Sequence, residues 1–118
     1  GALSTFDKDF DDSGNKIQHE FIYNTIGFDL DRLVEVTKIP LPDHVKIDVD
    51  GLEHFILAGA KIVFKNVKSI LVEINDDFKE QSNKSDKILT DLGFYLYEKV
   101  YPKNQTIKVA NQIWKKKI

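Results

Sequence analysis

The sequence predicts an α/β domain: a mostly parallel sheet with helices packed on it and an antiparallel hairpin at its C-terminal end. Three observations carry this expectation. Short β-type runs alternate with helix-period segments along most of the chain. One run, Ser69 to Asn75 (SILVEIN), is apolar almost throughout, which suits a strand buried on both faces of a parallel sheet. The last two predicted strands are joined only by the turn Pro102-Lys103-Asn104, which points to an antiparallel edge hairpin.

Length and composition bound the answer. The 118 residues suffice for one domain with a real core, expected over residues 1–118, and are too few for two. With 42% hydrophobic and 31% charged residues, the chain falls in the soluble globular class. Net charge is −2 and Arg32 is the single arginine, so no basic face for nucleic acid is expected. Lys115-Lys116-Lys117 is too short to make a membrane patch and reads as a solvated tail. The absence of cysteine excludes disulfides and Cys-ligated metals. No apolar run approaches the roughly 18 residues of a transmembrane helix, and no signal-peptide pattern opens the chain; a cytoplasmic location is the expectation. There is no methionine, so Gly1 is not a translational start and a piece of a longer protein is expected.

Each element has a local reason. Gly1 to Lys16 is acidic and contains Asp-Ser-Gly-Asn, a turn signal, and reads as an exposed loop with a short strand near Leu3 to Phe6. Its acids end in no glutamate suited to a Ca²⁺ loop. Ile17 to Ile26, with Phe21, Ile22, Tyr23 and Thr25, reads as a strand ended by Gly27. Asp29 can cap a helix whose buried face is Leu30, Leu33 and Val34. Ile39-Pro40-Leu41-Pro42 stops it, since each proline lacks a donor and restricts the residue before it. A strand follows over Val45 to Val49. Leu52, Phe55, Ile56, Gly59, Ala60 and Val63 then fall on one face of a helix, with Gly59 and Ala60 small enough for close packing on a sheet and Asn66 as its stop. After the Ser69–Asn75 strand and the Asp76-Asp77 loop, Ser82 to Leu92 reads as a helix with Ile88, Leu89 and Leu92 inward and Gly93 closing it. Phe94 to Tyr101 and Ile107 to Trp114 supply the final strands.

The chemistry concentrates in His44 to Glu53 (HVKIDVDGLE). A strand's side-chain period of two puts Lys46, Asp48 and Asp50 on one face and Val45, Ile47 and Val49 on the other. Carboxylates at the C-terminal end of a strand, just before a helix, sit where open α/β sheets place their ligands. Asp50-Gly51-Leu52-Glu53 also fits a capping box, in which Asp50 accepts from the Glu53 N–H and Glu53 reaches back to the Asp50 N–H. That reading does not cover Asp48. An acid inside a buried strand needs a partner or a cleft, so Asp48 either pairs with Lys46 or faces a ligand. Glu73 holds the same position on the next predicted strand; it either borders the same crevice or is a solvated strand end. His44 and His54 lack a third ligand at metal spacing and read as surface or packing residues. Ser4 and Thr5 have no adjacent base and give no nucleophile signature.

Two resemblances follow from these residues. D-x-D-G after a strand is similar to the nucleophile motif of haloacid-dehalogenase-type phosphatases. That likeness would make Asp48 the nucleophile, Asp50 the acid/base and Asp76-Asp77 the Mg²⁺ pair. The context fails: some 43 residues precede His44, only about 25 separate the motif from the second acidic pair, and Leu52 stands where that family usually has Thr. HVKIDVDGLEHFILAGA (His44–Ala60) with KSILVEIN (Lys68–Asn75) resembles the FkbM-type methyltransferases far more closely, specifically their C-terminal half. ALSTF (Ala2–Phe6), NTIGFDLDRLV (Asn24–Val34), DLGFYLYEK (Asp91–Lys99) and NQIWKKK (Asn111–Lys117) extend the likeness over nearly all of the chain. One mild departure is Asp50, where many members have Glu.

The resemblance implies part of a Rossmann-like class I methyltransferase sheet and S-adenosylmethionine as cofactor. It also implies methyl transfer to oxygen, expected to be a hydroxyl of a sugar or natural product. Asp48, Asp50 and Glu73 are then the expected catalytic residues and Lys46, Glu53 and Asn75 the expected substrate contacts. No metal site is assigned, although Asp50 and Glu73 would be the ligands if Mg²⁺ were used. The glycine-rich turn that binds the cofactor in this class is absent from the sequence, so the isolated chain is expected to bind the cofactor weakly or not at all. The alternative is a non-catalytic α/β module that forms a homodimer through an open sheet edge.

Overall fold

The computed structural model describes Asp9 and residues 15–18, 21–104 and 106–117. Asp29 opens the α/β part. Its backbone is extended and its carboxylate accepts from the Arg32 N–H at 2.7 Å, so it caps α1 (Leu30–Thr37) as the sequence predicts. α1 buries none of its residues fully; Leu30 and Val34 lean on the core from its edge. Polar ties complete its seat. The Asp31 carboxylate accepts from the N–H groups of Ile62 and Val63, and the Asp31 N–H donates to the Gly59 carbonyl at 3.1 Å.

After the proline segment come β1 (His44–Ile47), α2 (Glu53–Ala58), a 3₁₀ turn (Val63–Lys65), β2 (Ser69–Asn75), α3 (Lys79–Asp91), β3 (Phe94–Val100) and β4 (Val109–Lys116). They form one four-stranded sheet in the order β1-β2-β4-β3. β1 and β2 are parallel, with His44 opposite Ser69 and Ile47 opposite Val72. β4 runs antiparallel to both β2 and β3. The sheet is therefore mixed: β1, β2 and β3 run in one direction and β4 runs against them, in keeping with a mostly parallel sheet that ends in an antiparallel hairpin. The expected hairpin forms one edge of the sheet, with β3 at the rim and β4 inserted beside β2. Its inward residues explain the insertion, because Ala110, Gln112 and Trp114 lie buried opposite Ile74, Val72 and Ile70.

The core lies between this face of the sheet and α2, α3 and the 3₁₀ turn, with Leu57, Phe64, Ile70, Ile74 and Leu89 fully enclosed. Each such side chain contributes about 1.5–3 kcal/mol relative to exposure. β2 alternates: Ile70, Val72 and Ile74 are buried, while Ser69, Leu71 and Glu73 on the other face are half-buried. Burial of β2 on both faces was expected; helices cover one.

Two more expectations need correcting. Residues 21–28 form no strand, and Phe21, Ile22, Tyr23 and Ile26 are exposed. β propensity without a pairing partner does not make a strand. The short strand expected over Leu3 to Phe6 lies outside the described residues. The single helix expected from Leu52 to Val63 stops at Ala58. Gly59 ends it where α1 arrives: a Cβ there would lie 2.7 Å from the Asp29 Cβ. The small residue thus admits the α1 cap rather than the sheet. α3 starts at Lys79, three residues before the expected Ser82, and Gly93 follows it at φ 84°, a conformation suited to glycine. Among the described residues no helix is long and apolar enough to cross a membrane.

Candidate active site at the ends of β1 and β2

The parallel pairing of β1 and β2 brings the two acidic strand ends together. Ile47 lies opposite Val72, so the next residues, Asp48 and Glu73, emerge side by side. The chain then turns sharply through Asp50 at φ 55° and Gly51 at φ 105°. This returns Asp50 to the same edge: carboxylate oxygens of Asp48, Asp50 and Glu73 all lie within 4.8 Å of one another. The juxtaposition that the period-two pattern predicts is present. The spacing would admit a shared cation, but exposed acids cluster this way without one, and spacing alone assigns no ion. A shallow cleft beside the cluster is lined by Asp50, Gly51, Glu53, Glu73, Asn75, Gln81 and Val109.

Asp48 is ion-paired with Lys46 at 3.0 Å, and both side chains are substantially exposed. Contrary to expectation, Asp48 does not stand in a buried strand, because β1 ends at Ile47 and Asp48 already lies outside it. Such a pair in water contributes under about 1 kcal/mol. Val49, expected on the same strand face as Val45 and Ile47, also lies beyond the strand and is exposed.

Glu53 is enclosed, at 1% exposure. Its carboxylate accepts from the N–H groups of Val49 at 3.2 Å and Gly51 at 3.0 Å, and from the Gln81 side-chain amide. The expected capping box is thus replaced. α2 begins after Leu52, which offers no side-chain cap, and Glu53 reaches back to Gly51 and Val49 instead of Asp50. Asp50, at positive φ, lacks the extended backbone that a cap requires.

Glu73 titrates above the usual carboxylate range. Burial is the main cause, and the negative charges of Asp48, Glu53 and Asp50 add to it; Lys46 opposes them. Asn75 is nearly buried: its N–H donates to Gln81 Oε1 at 2.7 Å and its Oδ1 accepts from the Asp77 N–H at 3.0 Å.

Residues 7–98 match the model of the methyltransferase FkbM domain. The chain belongs to that family. No curated protein and no solved structure matches it. The match spans the acidic cluster and Gln81, while β4, which brings Val109 to the cleft, lies beyond it.

In this FkbM-family chain two groups near the edge escaped sequence reasoning. Gln81 sits in the first turn of α3, three residues after Phe78, and only the tertiary fold aims it at Glu53. Asp76, read as an exposed loop residue, is mostly enclosed. It accepts from Lys99 Nζ and from Tyr101 Oη at 2.5 Å, and its N–H donates to the Lys108 carbonyl. Burial alone would raise its pKa, but the hydrogen bonds from Lys99 and Tyr101 outweigh it and hold Asp76 below the usual range. With Asp76 engaged there, the phosphatase likeness gains nothing from Asp76-Asp77. His44 Nδ1 pairs with Ser69 Oγ at 2.7 Å on the surface, and His54 packs against the rings of Phe55 and Phe78.

Proposed function

We propose that the chain is part of an S-adenosylmethionine-dependent methyltransferase acting on a hydroxyl oxygen of a sugar or natural product. Family membership supports methyl transfer in general. The observation that carries the finer reading is the convergence of Glu73 with Asp48 and Asp50 at the C-terminal ends of two parallel strands. The terminal antiparallel hairpin beside a parallel pair is also the ending expected of a class I methyltransferase sheet.

The cleft fits such a cofactor in part. Asp50 and Glu73 offer acceptors for cationic or hydroxyl groups. No two glycines of the sequence stand in a G-x-G turn that would bring backbone N–H groups to the adenosine. When bound, S-adenosylmethionine supplies an electrophilic methyl group on a positively charged sulfur.

The residues of this chain then have separate tasks. The acceptor hydroxyl sits between Asp48 and Glu73. Its proton would pass to one of these carboxylates, while S-adenosylmethionine, if bound, would supply the methyl group. The raised proton affinity of Glu73 supports giving it the role of general base. Asp48, tied to Lys46, orients the hydroxyl, and Asp50 accepts from a second hydroxyl of the acceptor. Lys46 tunes Glu73, Glu53 holds the Asp50 turn, and Asn75 lines the opposite wall.

The test is methyl transfer from labelled S-adenosylmethionine to a panel of sugars and hydroxylated natural products, using the full-length protein that carries this chain. Label on an acceptor oxygen is expected. Glu73→Gln should lower the rate about 100-fold or more, and Asp77→Asn, in the adjoining exposed loop, should leave it unchanged. No transfer across the panel, or a wild-type rate for Glu73→Gln, overturns the reading.

A second reading, a self-associating module, has one observation in its favour. β1 stands at the end of the sheet, and no further strand among the described residues covers its outer edge. Size-exclusion chromatography of the chain decides it: a dimer supports the module, and a clean monomer removes it.

A further inference from the structure

The loops that follow β1 and β2 are joined by a buried polar link whose central member, Gln81, has no task in the proposed chemistry. Gln81 is 2% exposed and Glu53 is 1% exposed. The Gln81 side chain makes one bond in each direction. Its Oε1 accepts from the Asn75 N–H at 2.7 Å, at the last residue of β2. Its Nε2 donates to Glu53 Oε2. Glu53 in turn accepts from the N–H groups of Val49 and Gly51, which bracket Asp50. One continuous chain of hydrogen bonds therefore runs from the Asp48–Gly51 turn, through two enclosed side chains, to the end of β2.

We propose that Gln81 is a positioning residue: through Glu53 it holds the Asp48–Gly51 turn against the end of β2, and so sets the separation of Asp48 and Asp50 from Glu73. The reasoning is geometric. Asp50 and Gly51 both have positive φ, and for Asp50 this conformation is unfavourable without support. The backbone donors on either side of Asp50 are satisfied by Glu53. A buried carboxylate with backbone partners on one side is held in place when a further donor completes its shell, and Gln81 Nε2 is that donor. An amide is the side chain suited to the link, because it must donate to a carboxylate and accept from an N–H at once. A leucine or methionine of similar volume could do neither.

The proposal rests on the methyl-transfer reading only for its catalytic consequence, and the test separates the two. Gln81→Met keeps the volume and removes both bonds. Gln81→Glu places a second carboxyl beside Glu53, in a cleft already bordered by Asp50 and Glu73. While one proton is shared between the two carboxyls, the new side chain still donates to Glu53 and accepts from Asn75; once both ionise the link opens. Amide hydrogen exchange and methyl-transfer kinetics are measured on the full-length protein and both variants, well below their melting temperatures.

In Gln81→Met the Val49 and Gly51 amides should exchange at least tenfold faster, kcat should fall by tenfold or more, and the acceptor KM should change less than threefold. In Gln81→Glu both properties should approach wild type at the acid end of the range in which the protein stays folded, and depart from it as pH rises. If Gln81→Met does not fold, the pH-dependent recovery of Gln81→Glu carries the test alone. Unchanged exchange at Val49 and Gly51 overturns the link. Faster exchange with an unchanged kcat overturns the positioning role. Faster exchange in a protein that transfers no methyl group at all supports the link and removes the methyl-transfer reading instead.

Discussion

Lys99 reaches both carboxylate oxygens of Asp76, at 2.8 and 2.7 Å, and ties the loop after β2 to the far strand of the sheet. Tyr101 adds a second donor, and the Asp76 N–H bonds to the Lys108 carbonyl at the entrance to β4. One acid thus fastens the ends of β2, β3 and β4 beside the candidate site. Asp76→Asn keeps the shape and removes the charge. It should destabilise the fold by about 1.5–3 kcal/mol, the range for hydrogen bonds to charged groups, read as a lower urea midpoint with an unchanged m-value. The pH dependence has a definite sign. Asp76 titrates below its ordinary 3.8 in the folded state, so its contribution is complete above that value and is lost as pH falls through the lower folded pKa. The variant should lose less stability than wild type between about pH 5 and pH 2; parallel profiles would remove Asp76 from acid unfolding.

His54 acts in a different pH window. It is 2% exposed, its Nδ1 has no hydrogen-bond partner, and Phe55 and Phe78 cover its ring at 4.1 and 5.8 Å. Burial lowers its pKa from the ordinary 6.5; Glu80 opposes this and Lys84 adds to it. The unfolded chain therefore binds a proton first. Stability is full above pH 6.5 and declines as pH falls from there through the folded pKa. His54→Leu removes the titration and the orphaned nitrogen together. Its Tm should be nearly flat from pH 7 to pH 5, while that of wild type falls. Equal slopes for the two proteins would place the pH sensitivity elsewhere.

What the sequence revealed, and what it hid, divides along the range of the forces involved. SILVEIN gave its strand to the residue, and Asp29 gave its cap, because both depend on neighbours in the chain. The meeting of Asp48 and Glu73 was legible for the same reason: two parallel strand ends place acids together once their periodicity is known. Phe21 to Ile26 misled because strand propensity is realised only against a partner strand. Gly59 misled because its reason lies in Asp29, thirty residues earlier. Gln81 and the Lys99–Asp76 pair were invisible for the same cause: polar residues on a helix turn and in a loop carry no pattern that announces a partner more than twenty residues away.

The α1 seat tests this long-range account. Gly59→Ala would force its Cβ into the Asp29 Cβ, a backbone-anchored atom that cannot swing aside. A loss of about 1–3 kcal/mol is expected from such overpacking. Asp31→Ala removes the acceptor for the Ile62 and Val63 N–H groups and should remove about 1 kcal/mol, as for a lost helix cap. Both changes loosen the same contact, so the double variant should lose less than the sum of the two. Denaturant melts of the four proteins form the cycle, and strict additivity would show that the two residues hold α1 independently.

The last prediction concerns the acidic cluster, where Lys46 supplies the one opposing influence on Glu73. Burial and the charges of Asp48, Glu53 and Asp50 raise the Glu73 pKa, and Lys46 lowers it. Lys46 is largely exposed and its pair with Asp48 adds little to stability, so Lys46→Ala should fold normally. With the positive charge gone, Glu73 should hold its proton to higher pH. If Glu73 is the base, the acid limb of the kcat/KM profile must move to higher pH in Lys46→Ala. Asp48→Asn, which removes a raising charge, must move that limb to lower pH whatever it does to the plateau rate. Opposite displacements in two variants of the same exposed pair cannot come from a general loss of stability, which would lower both profiles without sorting them by sign. Limbs that coincide with wild type in both variants would take the base role away from Glu73.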